Sequence, residues 1–372
     1  MALQSSGPIS LLDIQNEFGG TNPIGINEYY GADTGVPASG TISFDDFYGT
    51  SAGPSTLPPV SFGYYIGGRA GPTTSPNQIQ RIQYSNDTLS IRPATLSLGR
   101  QSSTVVENTT YGYICGGYVR SSGTTTNRID RFQFSNETSS NPPANLPTLV
   151  AGQRGISSST KGFICGGVPQ PSPPSVTGSN LIQEINLSNG TASNPSTVLG
   201  TPASSGGKLN DVSAGYVMVA LATDPVTLEP SVNKLIYSNT TVSTIAATAL
   251  PGNPSPQESF TNRSGGKGYI FGGFVASPAY ASPSFYSTYI ERLVYSTDTW
   301  GTTTARNNVN GRDNVGLFSD TAGYIAGAFI PSNSYAQYRD VWNKFAFSTE
   351  TFITSTSSFG PTCYSGMSST QI

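Results

Sequence analysis

Histidine is absent from this 372-residue chain. Because histidine is the usual general base near neutral pH and a common ligand of zinc and iron, its absence excludes Ser-His-Asp and Cys-His nucleophile systems and histidine-ligated metal centres. Cysteine is scarce as well, since Cys115, Cys165 and Cys363 are the only three. Three thiols cannot build a disulfide framework or a four-thiolate zinc site, so the sequence predicts packed free thiols, no metal and no cofactor.

Charged side chains are also few, because Lys and Arg number 18 and Asp and Glu 21, which leaves a net charge of −3. So few basic residues cannot form the positive stripe that nucleic acids require, and nucleic-acid binding is disfavoured. No apolar run approaches the length of a membrane span, and the first residues lack the basic and apolar regions of a signal peptide. We therefore expect a soluble protein made in a cytoplasm, without membrane insertion.

The abundant residues indicate an ordered protein. The chain has 42 Gly and 27 Pro, but also 20 Tyr, 17 Phe and 2 Trp. A disordered chain would combine high net charge with few aromatic residues, which is the opposite balance. The length permits two or three domains, or one large all-β unit with a small attachment.

Two short phrases recur in one order along most of the chain. The first opens with Gly-aromatic, usually closes with Gly-Gly, and occurs six times at spacings of 49 to 55 residues. Its copies begin at Gly63, Gly112, Gly162, Gly215, Gly268 and Gly323. The second reads apolar-x-aromatic-Ser-Asn/Thr, then usually an acidic residue and Thr, with its serines at Ser85, Ser135, Ser188, Ser238, Ser296 and Ser348. A period of this length is typical of a repeat architecture.

Each repeat predicts a small β-sheet. Both phrases are short runs rich in Ile, Val, Tyr and Phe, bounded by Gly, Asn, Ser and Thr. Two weaker strands flank them, one after the Ser-Asn-x-Thr turn and one before the Gly-aromatic phrase. Four strands in about 50 residues is the size of a propeller blade, so the sequence predicts an all-β fold with a six-bladed β-propeller.

The two ends of the repeat region indicate how the ring closes. The first copy lacks the opening strand that precedes the copies of blades two to four, since only residues 58–62 stand before it. Residues 364–370 at the other end are similar to that opening strand and have no blade after them. We therefore predict that the C-terminal strand completes blade one and removes the open sheet edges.

Residues 1–50 do not carry the repeat. Ser10 and Asp13 form a capping-box pattern before a short helix that Gly19-Gly20 ends, and the same pattern returns at Ser43 and Asp46. The sequence thus predicts two small capped helices around an irregular segment, residues 21–39. A segment of this composition buries too little surface to be stable alone, which favours a module that docks on a partner.

The repeats resemble the kelch repeat, in which four apolar residues lead to Gly-Gly and, after a loop, to a Tyr and a Trp. The copy at residues 269–273 matches best, with Tyr295 and Trp300 following it. Other copies keep the Gly-Gly and one aromatic residue but replace the Trp. The resemblance covers about five-sixths of the chain and implies a kelch-like propeller.

Residues 7–30 read GPISLLDIQNEFGGTNPIGINEYY, and residues 36–50 read VPASGTISFDDFYGT. Together these two segments resemble a module of structural proteins of tailed bacteriophages, particularly marine and cyanobacterial ones. This resemblance implies a virion component of the tail or its fibres. It further implies that residues 1–50 dock on other tail or baseplate proteins. The candidate docking residues are Leu11, Ile14, Phe18, Phe44, Phe47 and Tyr48.

Three enzyme activities are compared with purely structural roles for the same residues: copper-dependent oxidation, sialidase activity and glycoside hydrolysis through two carboxylates. The copper oxidase among kelch-like proteins needs two histidines and is excluded. Sialidases carry Ser-x-Asp turns, but Ser85, Ser135 and Ser296 with the residues after them are better explained as hairpin turns, since they occur at one place in the repeat. Glycoside hydrolysis through two carboxylates remains open, with Asp211, Asp313 and Asp320 as residues that would face the channel.

The connections after the Gly-Gly phrases vary most, and variable loops on a rigid scaffold usually carry recognition. The loop residues predicted to contact a ligand or partner are Tyr280, Phe285, Tyr286, Tyr335, Tyr338 and Arg339. Exposed rings among Ser and Asn suit sugar faces and protein surfaces, although the same rings would also serve to pack their own loops.

The sequence therefore predicts a docking module at 1–50, a Ser/Thr/Pro-rich linker at 51–62 and a six-bladed propeller at 63–372. We expect a non-enzymatic phage virion protein, assembled in the host cytoplasm, that displays the propeller for contact with a host-surface glycan or protein. The alternatives are a polysaccharide-degrading tail spike and a kelch-like interaction scaffold outside the virion.

Overall fold

The computed structural model describes most of the chain. The described residues are 3–18, 23–33, 35–50, 60–69, 73–142, 144–169, 178–203, 206–218, 231–246, 258–271, 274–275, 285–286, 289–306, 315–330, 337–353 and 367–370. The chain divides into two compact units, Met1–Pro58 and Pro59–Ile372. The second unit therefore begins before the propeller boundary predicted at Gly63, and Val60 is already buried in its core.

Within its described residues the smaller unit contains one α-helix, Leu11–Phe18 (α1), and two 3₁₀ helices, Ile26–Tyr29 and Phe44–Phe47. The predicted capping box is confirmed at α1, where the Ser10 N–H donates to Asp13 Oδ2 at 2.8 Å and the Asp13 N–H donates to Ser10 Oγ at 3.2 Å. At the second predicted helix the Ser43 N–H donates to Asp46 Oδ2 at 2.7 Å, but the turn is 3₁₀.

The segment predicted to be irregular contains the other 3₁₀ helix. Its start repeats the same device without a hydroxyl, because the Gly25 N–H donates to Glu28 Oε1 at 3.0 Å. All three short helices of the unit thus begin with a backbone N–H held by a carboxylate three residues later, which compensates donors that a helix start leaves unpaired.

The larger unit is a β-propeller of six four-stranded blades, as predicted, with antiparallel pairing throughout each blade. Strands are numbered β1 to β30 along the chain. Blade 1 contains Phe62–Ile66 (β1), Gln78–Gln83 (β2) and Thr88–Thr95 (β3) together with Met367–Thr370 (β30). Blade 2 contains Thr104–Glu107 (β4), Tyr111–Cys115 (β5), Ile129–Gln133 (β8) and Thr138–Ser140 (β9). Blade 3 contains Arg154–Ser157 (β11), Lys161–Cys165 (β12), Ile182–Asn186 (β14) and Ala192–Ser193 (β15).

The remaining blades repeat this order. Blade 4 contains Lys208–Asn210 (β16), Ala214–Met218 (β17), Ser231–Ile236 (β18) and Thr241–Ala246 (β19). Blade 5 contains Glu258–Asn262 (β20), Lys267–Phe271 (β21), Tyr289–Val294 (β24) and Thr299–Arg306 (β25). Blade 6 contains Val315–Phe318 (β26), Ala322–Ile330 (β27), Gln337–Ala346 (β28) and Thr351–Ile353 (β29). Three two-stranded sheets pair Tyr118–Val119 (β6) with Thr124–Thr125 (β7), Val150–Ala151 (β10) with Val168–Pro169 (β13), and Phe274–Val275 (β22) with Phe285–Tyr286 (β23).

The hydrophobic core lies between the blades. The Gly-aromatic phrase forms the second strand of each blade, and in β5 both faces are buried from Gly112 onward because a neighbouring blade covers each side. One cluster joins Tyr64 and Ile66 of blade 1 to Val105, Ile114 and Phe132 of blade 2. The glycine of the phrase permits such close packing between blades. At Gly162 of blade 3, for example, an added Cβ would lie 2.4 Å from Val106 Cγ2 of blade 2.

The C-terminal strand closes the ring, as the sequence predicted. β30 pairs antiparallel with β1, with Gly63 opposite Thr370 and Ile66 opposite Met367. The six innermost strands, β30, β4, β11, β16, β20 and β26, contact one another in ring order, including the contact from β26 back to β30. Ring closure covers both faces of each blade, so the first and last blades do not present an uncovered sheet to the solvent.

Side chains of neighbouring blades cap the free edges of the innermost strands. The Glu107 N–H donates to Ser157 Oγ at 2.9 Å, the Ser157 N–H to Asn210 Oδ1 at 3.2 Å, and the Lys208 N–H to Ser259 Oγ at 3.2 Å. Each bond links one blade to the next. The hydroxyl and amide residues of the opening strands therefore satisfy backbone groups that no fifth strand pairs.

The strand directions define two faces of the propeller. On the turn face, short turns join first to second strands and third to fourth strands. On the loop face, second strands end, third strands begin, and the first strands start after each blade-to-blade connection. Because β1 runs from Phe62 towards Ile66, the chain enters the propeller on the turn face, and the closing strand ends at Thr370 on that same face.

Candidate functional site

The second repeated phrase forms hairpin turns on the turn face, as predicted. In blade 1 the Asn86 Oδ1 accepts the Thr88 N–H at 3.2 Å, and in blade 2 the Asn136 Oδ1 accepts the Thr138 N–H at 3.2 Å. These are side chain to backbone bonds of the kind that stabilises an Asx turn. The turns of Ser85 and Ser135 are thus explained by local structure, without a ligand.

The acidic residue of the turn has a role that sequence reasoning missed. In Asp87, for example, φ is +56°, and the side chain leaves its own hairpin to reach the preceding blade in the ring. Asp87 Oδ1 accepts the Tyr324 hydroxyl at 2.8 Å, and Lys344 Nζ lies 2.9 Å from Asp87 Oδ2. We call this set of contacts the clasp. It comprises an acidic turn residue, a Tyr from the second strand of the preceding blade, and a cation from that blade's third strand.

Four of the six blade boundaries carry a clasp. The other three join Glu137 to Tyr64 and Arg81, Asp298 to Tyr216 and Lys234, and Glu350 to Tyr269 and Arg292. Burial raises the pKa of each of these tyrosines, and the carboxylate acceptor raises it further, so the hydroxyl remains a donor.

The boundary between blades 3 and 4 lacks all three members of the clasp. Phe163 replaces the Tyr, Glu184 replaces the cation and pairs with Lys161 at 3.1 Å, and Thr240 occupies the acidic position.

At the boundary between blades 2 and 3 the Tyr and the cation are kept as Tyr113 and Arg131, but Gly190 occupies the acidic position. The residue types at the three positions are thus a signal present in the sequence, since a clasp forms where all three members occur together. The clasps hold four carboxylates in ion pairs between blades, where they stabilise the closed ring. Fewer carboxylates therefore remain as candidates for catalysis.

The acidic residues considered for glycoside hydrolysis are held in separate turns on the turn face. Asp211 follows β16 and accepts the Ser213 hydroxyl at 3.2 Å. Asp320 follows β26, and its Oδ2 accepts the Val60 N–H at 3.1 Å, where the chain enters blade 1. Asp313 lies outside the described residues. Within the described part of the chain, Asp211 and Asp320 belong to different blades and are not joined by a shared hydrogen-bond partner.

Both described cysteines are free and buried, which confirms their assignment as packing residues. Cys115 and Cys165 end the second strands of blades 2 and 3, and burial raises the pKa of each thiol well above its usual range. A thiol that stays protonated is a poor nucleophile and a poor metal ligand. Cys363 lies outside the described residues.

The predicted loop residues lie on two strand extensions of the loop face, as far as they are described. Phe285 and Tyr286 form β23 and pair with β22, between the second and third strands of blade 5. Tyr338 and Arg339 lie in β28, opposite Phe329 and Ala328, where β27 and β28 extend past the rest of blade 6. These extensions belong to adjacent blades. Tyr280 and Tyr335 lie outside the described residues.

The predicted docking residues are divided between the inside and the outside of the smaller unit. Ile14 and Phe47 are fully buried in a core with Leu3, Tyr29 and Val36. Phe18 packs against this core, with its ring 6.0 Å from that of Phe47.

The other docking candidates are less buried. Leu11 is half-buried, and so is Tyr48, whose hydroxyl donates to the Gly7 carbonyl at 2.5 Å, whereas Phe44 is 38% exposed. Among the six candidates, Phe44 thus offers a partner the largest exposed fraction. That these residues dock stays a prediction.

Two clefts flank the start of blade 1 on the turn face. One, of about 410 Å³, is lined by Val60, Tyr84 and the blade 6 turn at Asp320, and the other, of about 350 Å³, by Tyr64, Arg81 and the Glu137 turn. Phe62 lines both clefts. In the other five blades a turn joins the first strand to the second, but in blade 1 those strands come from opposite chain ends. The clefts therefore lie beside the one place where that turn is missing.

Charged residues also meet at the loop-face end of the central channel. Arg154 and Lys208 are the first residues of the innermost strands of adjacent blades, and Glu258 is the first residue of the next one. Arg154 Nε donates to the Gly206 carbonyl of the following blade. Lys208 Nζ reaches the Val105 carbonyl of blade 2 at 3.3 Å.

Among the described residues, no group of three or more Cys, Asp or Glu is arranged to hold a metal ion. No described helix has the length and apolarity needed to cross a membrane. No protein-family model matches the chain, and no curated protein matches it in sequence.

Proposed function

We propose that this protein is a non-enzymatic structural component of a tailed-phage virion, attached through residues 1–50 and displaying the propeller for contact with the host surface or neighbouring tail proteins. The proposal combines the propeller fold with the resemblance of residues 1–50 to phage structural proteins. The protein acts, on this proposal, by holding a recognition surface at a defined position on the particle.

The observation that carries the proposal is the polarity of the propeller. The chain enters at Phe62 on the turn face, and the closing strand returns to that face at Thr370. The hairpin β22–β23 and the extended β27–β28 pair rise from the opposite, loop face. A scaffold tethered at one face and elaborated at the other is suited to display, since binding residues usually lie on loops that a rigid framework positions.

The uses of the carboxylates favour a non-enzymatic role. Clasps engage Asp87, Glu137, Asp298 and Glu350, and a buried ion pair engages Asp130 with Arg100. A glycosidase needs two carboxylates on opposite sides of one scissile bond, with one of them available as an acid. Carboxylates that neutralise cations between blades support the fold instead.

The proposal is tested on virus particles from the source that encodes the chain. Antibodies raised against the full chain should label purified particles at the tail in electron micrographs, and mass spectrometry should find the chain at a constant ratio to the major tail proteins. As a control, serum depleted with the purified chain should lose the label. Absence of the chain from purified particles would refute the virion role, and release of reducing ends from host polysaccharide by the pure chain would refute the non-enzymatic role.

A further inference from the structure

The smaller unit, Met1–Pro58, carries side-chain charge of one sign only. It contains six acidic residues and no Lys or Arg, so its side chains sum to −6. All 18 basic residues of the chain lie in the larger unit, together with 15 of the 21 acidic residues, which leaves that unit at +3. The six acidic residues of the smaller unit are Asp13, Glu17, Glu28, Asp33, Asp45 and Asp46. Such an asymmetry between two parts of a chain points to the charge of a partner.

Helix capping explains the position of three of these carboxylates, but it does not neutralise them. Asp13, Glu28 and Asp46 each accept the backbone N–H that precedes a short helix, at 2.8, 3.0 and 2.7 Å. The hydrogen bonds from Ser10 lower the pKa of Asp13 below its usual 3.8, so this carboxylate stays ionised in neutral solution. A bond from a neutral N–H satisfies an oxygen and leaves the charge in place.

The carboxylates also lack cations around them. Among the described residues, Asp13, Glu28, Asp45 and Asp46 take part in no ion pair. Asp45 is exposed, and within the described part of the chain its carboxylate accepts no hydrogen bond. The negative charge of the smaller unit is therefore available to a partner.

Exposed apolar side chains stand next to the carboxylates in sequence. Leu12 is 58% exposed and precedes Asp13, and the exposed Phe44 precedes Asp45. Leu12 was not among the predicted docking residues, yet it is more exposed than any of those six. Apolar side chains of this size gain free energy when a partner removes them from water. The smaller unit thus offers a partner both apolar and acidic contacts.

The sign of the charge limits the class of partner. Nucleic acids and the anionic surface of a membrane are bound through Lys and Arg, which the smaller unit lacks. A protein face that carries Lys or Arg around apolar side chains complements both features of the unit. Its cations would attract the carboxylates and steer the encounter, and its apolar atoms would cover Leu12 and Phe44.

We infer that the smaller unit docks on a basic face of a partner protein, with Leu12, Phe44 and Asp45 as contacts. This inference rests on the proposed function, in which residues 1–50 attach the chain to the particle, and it adds the chemistry of the surface that receives them. Asp13 and Asp46 contribute to the attraction while they cap their helices.

Binding of the full chain to two helical peptides tests the inference. One peptide presents Lys on one face and Leu on the other, and the second is identical except that Glu replaces each Lys. We expect the chain to bind the Lys-Leu peptide more tightly than the Glu-Leu peptide by about tenfold or more at low salt. The difference should shrink as NaCl is added, because salt screens exposed charges. Fluorescence anisotropy of labelled peptides measures both affinities.

Variants of the proposed contacts locate the binding. Asp45→Lys should weaken binding of the Lys-Leu peptide by about three- to tenfold, because an attraction is replaced by a repulsion, and Asp45→Asn should give a smaller loss. Phe44→Ser should also weaken it by about three- to tenfold, without changing its salt dependence. Asp211→Lys is the matched control, since it makes the same change of net charge at a half-buried turn of the larger unit. Its affinity should stay within about twofold of wild type.

Three binding results would overturn the inference. Equal losses in Asp45→Lys and Asp211→Lys would show attraction to net charge alone. Equal affinity for the two peptides would show apolar contact without a preference for a basic face. Self-association of the chain that Asp45→Lys abolishes would make the receiving surface a second copy of this chain.

Urea unfolding midpoints of the same variants separate contact from folding. Because Phe44 and Asp45 are exposed, their variants should keep the wild-type midpoint while binding falls. A lowered midpoint with unchanged peptide binding would show that these residues only support the smaller unit, which would refute the inference. All of these failures leave particle labelling, the test of the proposed function, unaffected.

Discussion

Asp130→Asn should be far more damaging than its small change in shape suggests. Asp130 Oδ2 lies 2.6 Å from Arg100 Nη1, and the two side chains are 1% and 0% exposed. The guanidinium also donates to the Ile114 carbonyl at 2.9 Å and to the Leu98 carbonyl at 3.2 Å. Asp130 Oδ1 accepts the Ser97 N–H at 3.0 Å, a bond that an asparagine oxygen can preserve. The substitution therefore removes one charge and leaves the opposite charge buried.

The expected magnitude follows from that buried guanidinium. Removing one member of a buried ion pair costs roughly 3 to 5 kcal/mol, because the other charge stays out of water without compensation. With a urea dependence of about 3 kcal/mol per molar, the unfolding midpoint should fall by about 1 to 1.7 M. Fluorescence of Trp300 and Trp342, which lie in blades 5 and 6, reports the transition.

Two further variants decide whether this reasoning is correct. Arg100→Met combined with Asp130→Asn should recover most of the lost stability, since no charge is then stranded. Glu184→Gln, which makes the same chemical change in the partly exposed pair with Lys161, should cost no more than about 1 kcal/mol. If Asp130→Asn and Glu184→Gln shift the midpoint equally, or if the double variant is the least stable of all, the buried charge is not what Asp130 compensates.

Three other predictions concern the ring of blades. Tyr324→Phe should destabilise the propeller by about 1.5 to 3 kcal/mol, because the Tyr324 hydroxyl donates to the Asp87 carboxylate. Tyr113→Phe should cost only about 0.5 to 1.5 kcal/mol, because that hydroxyl donates to the neutral Leu187 carbonyl. Equal urea midpoints of the two variants would contradict this difference. Burial opposes ionisation of Glu350, but hydrogen bonds from Arg292, Tyr269 and Lys267 outweigh it and lower its pKa below the usual 4.5. A carboxyl whose pKa is lowered in the folded state contributes stability that is present above its ordinary pKa and lost as the pH falls through the lowered value. A Glu350→Gln chain should therefore lose less stability than wild type below about pH 4.5. If the melting temperatures of the two chains fall in parallel with pH, the result would argue against the clasp. Deleting residues 361–372 removes the four paired residues of the closing strand, on the order of 1 kcal/mol each, and should lower the melting temperature of the whole propeller, whereas unchanged melting would refute closure by β30.

The repeat phrases predicted the blades because the necessary information is local. Alternating apolar residues, the Gly-aromatic start and the Asn of the Asx turn each act within a few residues, and each occurs in successive repeats. The closing strand was predictable for a related reason, since a missing strand at one end and a surplus strand at the other leave one solution. The smaller unit was predicted less completely, because the start at Gly25 has no Ser, Thr, Asp or Asn to signal the 3₁₀ helix that Glu28 stabilises.

The clasps and the environment of Lys208 were not predicted, because they depend on partners from other blades. Asp87 and Tyr324 stand 237 positions apart and meet only because the ring closes. A sequence position also cannot reveal that Lys208 Nζ donates to the Val105 carbonyl, which lies two blades away around the ring.

By itself, then, the sequence determined the number of blades, their strands and turns, the manner of closure and the exclusion of histidine chemistry. These follow from short-range patterns and composition, which act before the chain is folded. Only the tertiary structure decided which carboxylates hold the ring together and which faces carry the entering and closing strands and the loop extensions. Those properties arise from distances between residues of different blades, and such distances exist only once the sheets have packed around a common axis.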